Sequence, residues 1–113
     1  MKSYTDIEQS KKLAEILPIE SADMFYLKIP NSSEVGYNYS DLPYFASLGI
    51  KDNLPCWSLA ALLEQLEDAA GLAKDYGFWF CYDNRKSCYT KHYDNPVDAC
   101  YEMIVKLKEK GLI

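Results

Sequence analysis

Cysteine and histidine offer the widest chemistry in this chain, and three of its four cysteines lie near its single histidine. Cys81, Cys88, His92 and Cys100 are spaced C-x6-C-x3-H-x7-C. Three thiols and one imidazole are the ligands of many structural zinc sites. These spacings match no zinc knuckle or ribbon, so we predict no metal site and no cofactor.

A nucleophile–base pair formed by Cys88 and His92 is excluded by geometry. Both fall on one predicted strand, where four residues at about 3.3 Å each separate them by roughly 13 Å. A catalytic thiol needs its base within hydrogen-bond reach. The sequence leaves Cys56 and Cys100 free to approach His92 in space, so a small enzyme with a cysteine- or carboxylate-based site assembled from distant segments is an alternative. We predict mostly buried thiols and assign no catalytic residue.

Neighbouring carboxylates also have structural explanations. Glu67 and Asp68 lie on the outward face of a predicted helix, and Asp94 and Asp98 lie at a helix start, where the dipole favours acids. The chain lacks GxGxxG, GxxxxGK[ST], HExxH and GxSxG. We interpret both pairs as solvated surface.

The charge balance argues against a nucleic-acid partner. Twelve basic and seventeen acidic residues give a formal charge of −5, and no run of Lys and Arg exceeds a pair. Binding to nucleic acid normally needs a basic stripe. An acidic inhibitor of a nucleic-acid-binding protein is a further alternative, which rests on this charge alone.

Tyrosine is the one compositional excess, with ten in 113 residues. Tyrosine suits contact surfaces, and it also suits half-exposed sheet faces. Trp57, at a helix entrance, either anchors the helix or faces a partner. The tyrosines cluster at Tyr37, Tyr39 and Tyr44 and again at Tyr76, Tyr82, Tyr89 and Tyr93. The candidate interaction surface consists of Trp57, Tyr37, Tyr39, Tyr44, Tyr82, Tyr89 and Tyr93.

The first half of the chain predicts one helix and two strands. Thr5 and Glu8 have capping-box spacing, and Pro18 ends the helix at Leu17. Apolar runs between turn residues predict strands at residues 24–29 and 35–39. After Asp41 the pattern fits either a short helix ending near Gly49 or a loop.

The second half predicts a helix, a hairpin and a final helix. Leu59, Leu62, Leu63 and Leu66 lie on one helical face that closes near Gly71. Asn95 as the cap, Pro96 at the first turn and Gly111 after the end define a helix over residues 95–110.

The predicted hairpin has strands 77–82 and 87–93 around a polar turn at residues 83–86. In the expected register Cys81 faces Cys88, Phe80 faces Tyr89 and Trp79 faces Thr90. Two faces follow from it. One carries Trp79, Cys81, Cys88, Thr90 and His92, and the other carries Phe78, Phe80, Tyr82, Tyr89 and Tyr93.

These elements predict an α+β fold in which three amphipathic helices pack on a small antiparallel sheet of three to four strands. The length fits a single globular domain, residues 1–113. The longest uncharged stretch is too short for a membrane span, and the amino terminus lacks a signal-peptide core. We therefore expect a cytoplasmic protein that does not bind membranes.

Three segments, at residues 10–24, 55–63 and 93–104, together resemble a family of small uncharacterised proteins in gut Bacteroidetes, their phages and mobile elements. Among them are Pro55-Cys56-Trp57-Ser58 and Tyr93-Asp94-Asn95-Pro96. The resemblance implies an accessory protein of a bacterium or its mobile DNA, and it carries over no activity or site residue.

The leading hypothesis is therefore a non-enzymatic binding or interaction protein whose partner is another protein. The contact surface would be the tyrosine-bearing sheet face or the segment 31–53. The oligomeric state stays open.

Overall fold

The computed structural model describes residues 1–27, 35–48 and 53–113. No helix in these ranges is long and apolar enough to cross a membrane. The helices are α1 (Ile7–Ile16), α2 (Leu42–Ser47), α3 (Leu59–Glu64) and α4 (Pro96–Glu109). The strands are β1 (Met24–Leu27), β2 (Gly36–Asn38), β3 (Asn53–Cys56), β4 (Ala70–Asp75), β5 (Phe78–Asp83) and β6 (Cys88–Tyr89).

The strands form two antiparallel sheets of three strands each. In the first sheet β1 lies between β2 and β3, and in the second β5 lies between β4 and β6. Helix α4 packs on the second sheet, and it also contacts α1 and α3. The α+β class is confirmed, and the strands divide between two small sheets where the sequence predicts one.

The cap of helix α1 lies one residue later than the sequence predicts. Asp6 caps the helix: its carboxylate accepts from the Gln9 amide at 2.8 Å, and the Gln9 side chain accepts from the Asp6 amide at 3.1 Å. The predicted cap at Thr5 is therefore wrong by one residue. The end before Pro18 is confirmed, because Leu17 is extended.

The two strands predicted in the first half are present as β1 and β2. The last part of the first prediction, residues 28–29, lies outside the described residues. The short helix considered after Asp41 is present as α2, and its expected end at Gly49 also lies outside them.

Strand β3 is not predicted by the sequence, because Asn53 and Pro55 are poor strand formers. It pairs with β1 from Cys56 opposite Met24 to Asn53 opposite Leu27. Pro55 is tolerated there because β3 is an edge strand of the first sheet.

The predicted second helix is too long. Helix α3 ends at Glu64, residues 65–69 form a turn, and Ala70 and Gly71 already belong to β4. Leu66, Ala69 and Ala70 favour a helix locally, but pairing of β4 with β5 starts at Ala70, opposite Asp83, and the chain must turn before it. A Cβ on Gly71 would lie 2.6 Å from the Tyr82 hydroxyl oxygen, because the Tyr82 ring covers this edge glycine.

The register predicted for β5 and β6 is wrong by two residues. Asp83 lies opposite Cys88 and Tyr82 opposite Tyr89. Further along, Trp79 pairs with Tyr93, and both of their backbone bonds are short, at 2.6 and 2.7 Å. The loop keeps its predicted length of four residues but lies one residue further along the chain, at residues 84–87, because the Asp83 side chain accepts from the Lys86 amide and holds the turn there.

A bulge then changes the face of two side chains. Thr90 lies opposite Cys81, donating its amide to the Cys81 carbonyl, while Tyr93 lies opposite Trp79. Three residues on one strand thus span two on the other, which is a β-bulge. Consequently His92 contacts Phe80, at 4.8 Å between ring centroids, and does not share the Cys81 face. Tyr93 leaves the outer face on which it was predicted.

Helix α4 confirms its prediction. Asn95 accepts from the Asp98 amide at 2.8 Å, and Pro96 occupies the first helical position. Gly111 has φ +70°, and the Leu112 amide donates to the Leu107 carbonyl at 2.8 Å, completing a Schellman motif. Its inner stripe is the largest part of the core, with Val97, Cys100, Met103, Ile104 and Leu107 buried.

Thr5 is fully buried and joins the amino-terminal segment to β1, to β3 and to the residues that follow β3. Its amide donates to the Trp57 carbonyl at 2.9 Å, and its hydroxyl accepts from the Trp57 amide at 3.1 Å. The same hydroxyl lies 2.8 Å from the Ser10 hydroxyl. The Thr5 carbonyl accepts from the Tyr26 hydroxyl at 2.6 Å and from the Cys56 thiol at 3.4 Å.

We expect Thr5→Val to lower the free energy of unfolding by about 2–3 kcal/mol, because the buried Trp57 amide loses its acceptor. Thr5→Ser is the matched control. It keeps the hydroxyl and should cost about 1 kcal/mol for one lost methyl group. Urea unfolding of the three proteins measures the difference. Equal losses for both variants would contradict a role for the hydroxyl.

Candidate functional site

The thiols and the imidazole are not brought together. Cys56, Cys81, Cys88 and Cys100 are all buried free cysteines, as the sequence predicts for most of them. His92 is exposed and lies beside Asp75, with 3.7 Å between Nε2 and Oδ2. In the part of the chain that the structure describes, no three His, Cys, Asp or Glu residues are placed to hold a metal ion.

Two of these thiols contact each other in the core. A hydrogen bond with Cys81, together with burial, raises the pKa of Cys100. Burial also raises the pKa of Cys56, against the hydrogen bonds from Thr5, Ser10 and Tyr26. The bond with Cys100 lowers the pKa of Cys81, but all four thiols are buried, and a thiol that substrate cannot reach is a poor nucleophile. Their arrangement therefore fits core packing.

A groove of about 520 Å³ lies between the β4–β5 turn and the start of α4. It contains charges of both signs, and Lys2 and Asp98 pair with each other across it. Lys2 donates to Asp98 at 2.8 Å and to Asp6 at 2.9 Å, and the Gln9 amide group donates to Asp98 at 2.7 Å. These bonds tie the amino terminus and α1 to α4.

These hydrogen bonds change the pKa values of Asp98 and Lys2. Burial disfavours the charged form of Asp98, but hydrogen bonds from Lys2, Asn95 and Gln9 outweigh it and lower the pKa of Asp98. Burial likewise opposes the charge on Lys2, and the bonds to Asp98 and Asp6 raise the pKa of Lys2. The groove thus holds a structural ion pair.

Trp57 and the first tyrosine cluster are largely structural. Trp57 is 0% exposed, and its indole N–H donates to the Ser21 hydroxyl at 2.9 Å, so its side chain anchors α3 in the core. Tyr37 and Tyr39 are half-buried against Phe25, at 5.9 and 5.5 Å between ring centroids.

The remaining candidates differ in exposure. Tyr93 is half-buried, and burial together with its hydrogen bond to Glu102 raises its pKa. Tyr82 is half-buried over Gly71. Tyr44, on α2, and Tyr89, on β6, are 64% and 55% exposed. Of the seven residues proposed from the sequence, only Tyr82 and Tyr89 lie together on one exposed sheet face.

That face is the outer side of the second sheet. Along β5, Cys81 and Asp83 are fully buried toward α4, so Phe78, Phe80 and Tyr82 alternate outward. Phe78 is 50% exposed, and the rings of Phe80 and Tyr82 lie 6.2 Å apart. We define the aromatic surface as these side chains with the adjoining turn residue: Tyr76, Phe78, Phe80, Tyr82 and Tyr89.

Tyr76 is the least expected member of the aromatic surface. It forms the two-residue β4–β5 turn with Gly77, and both have positive φ, +49° and +84°. Such turns favour Asn-Gly, since a bulky side chain at positive φ is strained. Tyr76 is nevertheless 95% exposed, so its ring gains nothing from burial. The sequence signal for this turn is Gly77, directly before the aromatic strand β5.

The pH dependence of stability should report the Asp98 network. Because the pKa of Asp98 is lowered on folding, its stabilisation is present above the unfolded value near 3.9 and is lost as pH falls through the folded value. We expect Asp98→Asn to lower the free energy of unfolding by about 1 kcal/mol at pH 7. The variant should also lose less stability than the unchanged chain as the pH falls.

Urea unfolding between pH 2 and pH 7 measures this effect, with the neighbouring Asp94→Asn as the control that keeps the Lys2 pair. If the free energy of unfolding falls with pH in Asp98→Asn as it does in the unchanged chain, other carboxylates are responsible for the pH dependence.

Replacing Tyr76 should stabilise the fold. Tyr76→Asn creates an Asn-Gly turn and relieves the strain at positive φ, so unfolding free energy should rise by about 1 kcal/mol. Tyr89→Asn, on a strand with an ordinary backbone, is the control and should be neutral or slightly destabilising. Thermal and urea unfolding measure both. A loss of stability in Tyr76→Asn would mean that the ring contributes to folding.

Comparisons with known proteins leave the site to be interpreted from its own geometry. No protein-family model, no curated protein and no solved structure matched this chain.

Proposed function

We propose that this chain is a non-enzymatic interaction protein that binds another protein through the aromatic surface. The observation that carries the proposal is Tyr76, which is 95% exposed in a backbone conformation that disfavours it. A residue that costs stability and contributes no packing is expected where it serves a contact.

The composition of the aromatic surface supports a protein partner. Interface centres are rich in Tyr and Phe and poor in charge, with polar groups at the rim. The outer strand positions carry Phe78, Phe80 and Tyr82, while Asp75 and His92 lie at the border. Stacking on nucleic-acid bases would need a positively charged groove, which a chain of charge −5 does not favour.

The other two functions have less support. A thiol enzyme needs a cysteine that substrate can reach, and all four are buried. Mimicry of nucleic acid rests on net charge alone. The resemblance to small proteins of gut Bacteroidetes and their mobile elements favours an accessory role for the interaction, in the cytoplasm of a bacterium.

The proposal is tested by affinity capture with quantitative mass spectrometry, using the lysate of the organism that encodes the chain. Tyr76→Ser combined with Phe78→Ser should reduce recovery of the partner by about tenfold or more, since aromatic anchors dominate interface energy.

Tyr44→Ser is the matched control, because it removes a tyrosine of similar exposure outside the aromatic surface. It should recover the partner as the unchanged chain does. Circular dichroism establishes that each variant is folded. Equal recovery by the double variant and the control would refute the proposal.

A further inference from the structure

We infer that the free edge of β4 binds an extended, basic segment of the partner, which adds to the second sheet as a fourth strand. The inference rests on the proposed function and identifies the kind of partner. It depends on three observations: the direction of the β4 backbone groups, the state of the other sheet edges, and the charges beside β4.

The backbone of β4 has hydrogen-bonding groups that point away from the sheet. Trp79 and Cys81 on β5 bond toward the β6 side, to Tyr93 and Thr90. In an antiparallel ladder the N–H and C=O of one residue point to the same side of the strand. The residues on β4 opposite Trp79 and Cys81 therefore form no backbone hydrogen bonds with them. These residues are Lys74 and Leu72, so their N–H and C=O groups face the free edge. Another extended backbone is the ligand that satisfies them in register.

The other edges in the described ranges are short or obstructed. β2 has three residues, and β6 has two before the chain bulges. β3 contains Pro55, which has no N–H to donate. β4 has six residues, no proline and no bulge opposite β5. It is therefore the best template for an added strand among them.

Lys74 does not protect this edge in the way that edge lysines commonly do. Its ammonium lies over the Trp79 ring, 5.5 Å from the centroid, on the face opposite Phe78 and Phe80. The cation–π contact directs the charge away from the aromatic surface. On the outer face an added strand would lie beside Ala73, opposite Phe80, and beside Gly71, where the Tyr82 ring that covers the glycine offers an aromatic contact.

Charge selects a different protein over a second copy of this chain. Between residues 64 and 75 the only cation is Lys74, and the carboxylates Glu64, Glu67, Asp68 and Asp75 are all exposed. Glu67 lies 3.6 Å from Lys86 and Asp75 lies 3.7 Å from His92, so Glu64 and Asp68 carry most of the negative charge that a basic segment would meet. Two copies paired along β4 would bring these acids together, and each carries a formal charge of −5. A segment with Lys or Arg at its ends is complementary to them.

The test uses three synthetic peptides of about ten residues, long enough to span β4. One alternates Val and Thr with Lys at both ends, one has Glu at both ends, and one has Lys ends with a central Pro. Amide exchange and chemical shifts of the ¹⁵N-labelled full chain are recorded by NMR. We expect the first peptide to slow exchange at Leu72 and Lys74 by about tenfold, and the other two to bind at least about tenfold more weakly.

Lys74→Pro removes one outward N–H without breaking a bond to β5, and it should abolish peptide binding. Lys74→Thr is its matched control, because it removes the same charge but keeps the N–H. It should bind within about twofold of the unchanged chain. Amide exchange of the unchanged chain with the three peptides tests the inference even if Lys74→Pro does not fold.

The inference is overturned if no protection appears at Leu72 and Lys74, or if the Glu-ended peptide binds as well. Protection that rises with protein concentration alone would also overturn it, since the occupant would then be a second copy. If folded Lys74→Pro captures the partner that the Tyr76→Ser, Phe78→Ser variant loses, the edge inference fails and the proposed function stands. If neither variant changes capture, both fail.

Discussion

The first half of this fold depends on the hydrogen bonds of Thr5. This one residue satisfies the amide and carbonyl of Trp57 and meets the hydroxyls of Ser10 and Tyr26. Buried polar groups are costly when unpaired, so each bond constrains the position of the others. The amino-terminal segment is thereby fixed beside β3 and β1, and Trp57 is directed into the core.

A second constraint operates where the two halves meet. The Lys2–Asp98 pair joins the amino terminus to the first turn of α4, and Gln9 adds a bond from α1. Helix α4 then covers the inner face of the second sheet. Because the inner face is covered and the outer face is not, the alternation of β5 separates a buried row from an exposed aromatic row. The aromatic surface is a consequence of this one-sided packing.

How far the sequence predicts the structure differs along the chain. Helix α4 is fully predicted, because Asn95, Pro96 and Gly111 each act on their own helix end. The register of β5 and β6 is not, because a turn displaced by one residue and a bulge both preserve the same local composition. Strand β4 has helix-forming neighbours, and only pairing with β5 gives it an extended backbone. Only this pairing places Tyr76 at a turn, with positive φ and an exposed ring.

The sequence by itself determined the α+β class, the ends of α4, the burial of most thiols and the excess of tyrosine. These depend on local capping chemistry, hydrophobic periodicity and composition. The tertiary structure alone decided which aromatic side chains are exposed. Trp57 became core because Thr5 and Ser21 bind it, and His92 joined Phe80 because one extra residue in the strand reversed its face. Side chains alternate across a strand, so a single-residue bulge changes a face that periodicity cannot foresee.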